Sequence, residues 1–108
     1  MVRDITVPIL QEVMDERARQ DAKWGEQNHH PAWWLSILGE EFGEVCKAVC
    51  ENNDTGKGSY REELIQVAAV AVSMIECFDR NGPDWNNLRG IREYLEAARA
   101  QDAGREEP

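Results

Sequence analysis

Hydrophobic and polar positions along this chain recur with a helical period almost from end to end. Between Pro8 and about Lys23, the apolar residues Ile9, Leu10, Val13, Met14, Ala18 and Ala22 return at three- and four-residue steps, with Glu12, Asp15, Glu16 and Arg19 between them. That spacing predicts an amphipathic helix, with Pro8 in its first turn, where a missing N–H costs nothing. Gly25 stops it, and Gln27-Asn28-His29-His30 reads as a loop. Pro31 opens a second helix that runs through Trp33, Trp34, Leu35, Ile37 and Leu38 to about Glu51, and Asn52 to Gly58 is the next turn. Ser59-Tyr60-Arg61-Glu62 matches the capping box, in which serine and glutamate satisfy each other's backbone donors, so a third helix begins there. From Leu64 to Phe78 only Gln66, Ser73 and Glu76 are polar, and Asn81-Gly82-Pro83 ends the segment. A last helix from about Asp84 carries Trp85, Leu88, Ile91, Leu95 and Ala98 on one stripe, and Gln101 to Pro108 reads as a frayed, solvated tail. No strand pattern and no internal repeat interrupt this series.

Four helices joined by short loops predict an all-α, four-helix-bundle-like domain spanning residues 1–108. The third helix is too apolar to be covered by three amphipathic neighbours, which predicts an oligomer, a homodimer or homotetramer, with that helix buried between helices or subunits. Composition narrows the partners. The 108 residues carry 21 acidic against 12 basic side chains, a formal net charge of -9, which argues against nucleic acid or an anionic membrane as a ligand and in favour of a cation. Cys46, Cys50 and Cys77 form no Cys-x-x-Cys pair and sit among aliphatic residues, as reduced cysteines do, so a cytoplasmic setting is expected and packing is the plain role for Cys46 and Cys50. The N-terminal residues lack the apolar run of a signal peptide, and no run of apolar residues is long enough to span a bilayer.

The chemistry gathers in the second helix, at Gly39-Glu40-Glu41-Phe42-Gly43-Glu44-Val45. At about 100° per residue, Trp34, Ile37, Leu38, Phe42, Val45, Ala48 and Val49 set the apolar arc. Glu41 falls inside it, Glu44 lies at its edge one turn on, and Glu40 points further toward solvent. A carboxylate pressed into an apolar face is costly unless its charge is compensated, and a second one three residues away adds repulsion. A bound cation resolves both costs, and hard oxygen donors suit Mg²⁺ or Mn²⁺. The third helix repeats the arrangement. With Glu62 engaged in the cap, Glu63 and Gln66 again stand three apart, so adjacent antiparallel helices can bring Glu41, Glu44, Glu63 and Gln66 round one ion.

The pattern Glu41-x-x-Glu44, eighteen residues, then Glu63-x-x-Gln66, resembles the Glu-x-x-Glu and Glu-x-x-Asp signature of the MazG-like all-α nucleoside triphosphate pyrophosphohydrolases. Lys23-Trp24-Gly25-Glu26-Gln27 and the wording around Glu41 are similar to small, phage-type members of that group, and the likeness covers roughly residues 20 to 80. It implies a Mg²⁺-dependent enzyme that cleaves a nucleoside triphosphate between the α and β phosphates, built as an oligomer of helical subunits. Glu41, Glu44, Glu63 and Gln66 would be the metal ligands and Glu40 or Glu44 the base that activates water. Gln66 stands where the family has aspartate; an amide can offer a carbonyl oxygen but neither charge nor a proton acceptor at neutral pH.

Other residues divide between binding and structure. Trp24 can stack on a nucleobase or pack, as can Trp33 and Trp34; Lys23 can meet a phosphate or sit solvated at a helix end; and Lys57 is a further phosphate candidate in what is otherwise a turn. Gly56-Lys57-Gly58-Ser59 lacks the spacing of a phosphate loop. His29 and His30 are read as loop and helix-start residues, because no Glu-x-x-His accompanies them. The alternative to an enzyme is a non-catalytic helical module, a nucleotide sensor or oligomeric interaction protein that keeps the fold without a full metal set.

Overall fold

The computed structural model describes residues 2–85 and 88–105, with side chains left aside for 83–91, Tyr94 and 102–105. It is all-helical, with α1 Thr6–Trp24, α2 Pro31–Cys50, α3 Tyr60–Trp85 and α4 Leu88–Arg105. None of these, among the described residues, is long and apolar enough to cross a membrane.

Helix ends follow local chemistry. The His30 ring closes the start of α2, its Nδ1 accepting from the Ala32 N–H at 3.1 Å with Pro31 at the first helical position. At the other end Asn52 takes the left-handed conformation (φ 54°), so that the Asn52 and Asn53 amides donate back to the Val49 and Ala48 carbonyls at 3.2 and 2.9 Å. The capping box at α3 is present in a shifted form. Ser59 Oγ accepts from the Glu62 N–H at 3.2 Å, while the Glu62 carboxylate reaches past Ser59 to the Gly58 N–H at 3.1 Å. α3 is broken at Gly82 (φ 71°, ψ 179°), where the sequence places its stop, and the following turn continues helically to Trp85. α4 reaches Arg105, so the tail expected from Gln101 is helical that far, continuing from Ala97, Ala98 and Ala100; residues 106–108 lie outside the described part.

α2 and α1 both pack on α3. The α2–α3 seam is apolar: Trp34, Val70 and Cys77 are buried together, with Ile37, Leu38 and Met74 packed against them. Trp34 is 3% exposed and its indole N–H is buried with no hydrogen-bond acceptor among the described residues. The α1–α3 seam is polar. Arg61 makes two bonds to the Glu12 carboxylate, Gln66 Nε2 donates to Glu16 Oε1 at 2.7 Å, and Arg17 Nε donates to Glu76 Oε1 at 2.8 Å. Positions rise together along both helices in this ladder, so α1 and α3 run parallel with α2 antiparallel to them.

Two expectations need correction. The apolar stripe read along the first helix is not its packed face: Leu10 and Met14 are exposed, and Val13 and Glu16 are the buried positions, because α1 turns its charges toward the polar stripe of α3. The third helix is left partly uncovered by its neighbours, as its apolar run predicts: Leu64, Val72, Ile75 and Phe78 stay exposed on the side away from Ser73 and Cys77. Phe42 and Val49 on α2 are open in the same way, and so are Cys46 and Cys50, for which packing was expected; Cys77 is the buried thiol. The radius of gyration, 17.8 Å, exceeds the roughly 13 Å of a compact chain of about this length. Of the stripe assigned to the last helix, Trp85, Leu88 and Ile91 lie outside the described side chains, and Leu95 is half exposed.

Candidate functional site

α2 and α3 bring the predicted carboxylates into one electrostatic neighbourhood. Glu41 is half-buried, and that desolvation first, then the charges of Glu63, Glu44, Glu40 and Glu16, push its carboxyl above the ordinary range. Glu63 is also half-buried, and its carboxyl is pushed up by desolvation and by Glu44 and Glu62. Glu40 and Glu44 are exposed. Among the described residues no arginine, lysine or histidine forms an ion pair with Glu40, Glu41, Glu44 or Glu63. Nor are three acid, histidine or cysteine side chains gathered there closely enough to grip an ion. The donor set is hard oxygen with uncompensated negative charge, which fits Mg²⁺ or Mn²⁺.

Glu41 also lines a cleft of about 670 Å³ between α1, the 25–30 loop and α2, with Gln66 of α3 in its wall. Trp24, Trp33 and Ile37 supply apolar surface, Arg19 and Lys23 positive charge, and Gln20, Gln27 and His29 polar groups. Trp24 and Trp33 are each 62% exposed, and Lys23 Nζ lies 4.8 Å from the Trp24 ring centre. The three tryptophans therefore part company: Trp34 is core, with the His29 ring edge-on to it at 4.9 Å, while Trp24 and Trp33 face the cleft.

The loop that carries this wall is fastened from behind by the last turns of α3. Arg80 donates to the Gln27 carbonyl at 2.9 Å and to Asn28 Oδ1 at 3.0 Å, and Asn81 Nδ2 donates to Asn28 Oδ1 at 2.8 Å. No family model, curated protein or solved structure matches the chain.

Lys57 is not brought to the cleft. It sits exposed in the 51–59 turn, its carbonyl accepting from Asn53 Nδ2 at 3.4 Å. Glu40, Glu44 and Glu63 flank Glu41 without lining the cleft. A second cleft of about 790 Å³ opens between α1, residues 54–56 and the first turns of α3, and shares Glu16, Arg19 and Gln66 with the first.

Sequence reasoning passed over Glu16, grouping it with the exposed polar positions of the first helix. It is 7% exposed, hydrogen-bonded to Gln66, and one of the charges felt by Glu41. Its signal was available only jointly: Val13, Glu16 and Gln20 form a stripe at heptad spacing, matched by the polar stripe of α3.

Proposed function

We propose that this chain is a Mg²⁺-dependent nucleoside triphosphate pyrophosphohydrolase of the MazG-like kind, acting in the cytoplasm as a homodimer or homotetramer. One observation carries the reading. Glu41, the most strongly desolvated carboxylate of the cluster, is also the one that opens into a cleft bearing two exposed tryptophans and two basic side chains. A nucleoside triphosphate needs those three things together: an aromatic face for the base, positive charge for the phosphates, and carboxylates for the cation that accompanies them. The cleft volume lies within the range of small-molecule sites.

Trp24 takes the base, and Lys23 with Arg19 takes the outer phosphates. Glu41, Glu44 and Glu63, with the Gln66 carbonyl oxygen, would hold the Mg²⁺, or Mn²⁺ in its place. When bound, the cation supplies neutralisation of the phosphate oxygens and makes phosphorus more electrophilic. Glu40 or Glu44, both exposed and beside the cluster, orients water and accepts its proton. Water then opens the bond between the α and β phosphates, giving the nucleoside monophosphate and pyrophosphate. Lys57, far along the turn, has no part in this arrangement.

Glu41→Gln removes a charge and keeps the shape, so Mg²⁺-dependent pyrophosphate release should fall to background while far-ultraviolet circular dichroism still reports a folded helical protein. Undiminished release by that variant would overturn the reading. The oligomer follows from Leu35, Phe42 and Val49 on α2 and Leu64, Ile75 and Phe78 on α3, which recur near heptad spacing on open faces. Light scattering on the purified chain should give two or four times 12.3 kDa, and a clean 12.3 kDa monomer would sink the assembly.

A further inference from the structure

We infer that Trp33 is the second wall of the base site: a nucleobase enters between the Trp33 and Trp24 indoles, and the ring area it offers them sets which nucleotide binds best. This rests on the reading of the cleft as a nucleotide site and requires no metal.

α2 and α1 deliver the two rings by separate means. Trp34 is locked into the α2–α3 seam, which fixes the rotation of α2 about its axis. Its neighbour Trp33, about 100° round the helix, is thereby carried to the cleft instead of the core. The His29 ring braces it on the core side, its centre 6.3 Å from Trp33 and 4.9 Å from Trp34, both within the range of aromatic pairs. Trp24 is the last residue of α1 and lines the same cleft. The loop between the two indoles is held at Gln27 and Asn28 by Arg80 and Asn81, so the two helix ends are tied in place before a ligand arrives.

Lys23 Nζ already lies over one face of the Trp24 ring. A base stacked on Trp24 therefore has one indole face to use, and its own far face needs a second cover. Among the described residues, Trp33 is the other indole that lines this cleft, and both rings are exposed. A tryptophan that serves packing buries most of its large apolar surface. Two left open on one concave wall forgo that gain, and a flat ring between them recovers it. Stacking tolerates differences in the edge groups of a base and follows the strength of the ring contact. A purine thus gains more from the second indole than a pyrimidine does.

The test is an NMR titration of the protein in chelator with three probes: adenosine monophosphate, cytidine monophosphate, and ribose 5-phosphate, which carries the phosphate without a base. The Trp24 and Trp33 indole N–H signals should shift with either nucleotide and stay in place with ribose 5-phosphate. Trp33→Leu should weaken adenosine monophosphate about tenfold, the scale of one stacked base, and weaken cytidine monophosphate less. It should leave the ribose 5-phosphate affinity and the melting temperature unchanged, and Trp33→Phe should recover much of the loss. A loss of twofold or less for adenosine monophosphate, or an equal loss for all three probes, would overturn the inference and leave the cleft a nucleotide site. A fall in the light-scattering mass of Trp33→Leu would place Trp33 at a contact between copies of the chain and overturn it likewise. A wild type that binds neither nucleotide would overturn the inference and the nucleotide reading together.

Discussion

On the side of α3 that meets α2, Val70, Met74 and Cys77 close round the Trp34 indole; on the side that meets α1, Arg61, Gln66 and Glu76 face Glu12, Glu16 and Arg17. The first seam is held by apolar area, which is non-directional and is not screened by salt. The second is held by two ion pairs with partly exposed members, Arg61 with Glu12 and Arg17 with Glu76, and by the hydrogen bond from Gln66 to buried Glu16. Such pairs contribute little to stability and depend on alignment. Alignment is what the site requires of α1. Apolar burial would let α1 rotate to hide Leu10 and Met14; the ladder instead fixes the rotation that delivers Glu16 to Gln66 and walls the cleft with Arg19, Lys23 and Trp24. One seam supplies stability, and the other supplies register.

The contrast can be broken most severely from the apolar side. Trp34→Ala removes the largest side chain of the α2–α3 seam and should cost about 3–5 kcal/mol, read as a lower urea midpoint. A loss below about 1 kcal/mol would mean that the seam collapses freely round the vacancy. At the other end of the scale, Arg17→Ala strips one rung of the ladder, where Glu76 and Asp21 are each about half exposed, and should cost about 1 kcal/mol or less. Repeating both measurements at high salt sharpens the distinction. The Arg17 effect should shrink as its charges are screened, and the Trp34 effect should persist. An Arg17 effect that grows with salt would contradict the account of α1 as electrostatically registered.

Much of the fold is legible in the sequence, because helix ends are local. Pro31, Ser59 with Glu62, and Gly82 mark their turns by conformational demands that operate within a few residues, and the structure places all of them where those demands say. The position of Glu41 on its helix was readable for the same reason, since burial of one face is periodic. The packed face of α1 was not readable, because it depends on charges about fifty residues away on α3; taken by itself the helix advertises its apolar stripe. Glu16 was hidden by the same distance. So was the opening of Phe42, Val49 and the two cysteines of α2 to the surface, which reflects how few helices surround α2.

Those cysteines turn the architecture into something that can be timed. Cys77 lies at 1% exposure inside the apolar seam, whereas Cys46 and Cys50 lie one helical turn apart on the open side of α2. In the native protein a thiol reagent meets two sulfurs at once and the third only when the seam opens, so the rate of the slow labelling step is the breathing rate of the α2–α3 pair. Assembly through the α2 face would slow the fast pair and leave the slow step unchanged. The chain thus carries separate native clocks for its open α2 face and its closed seam.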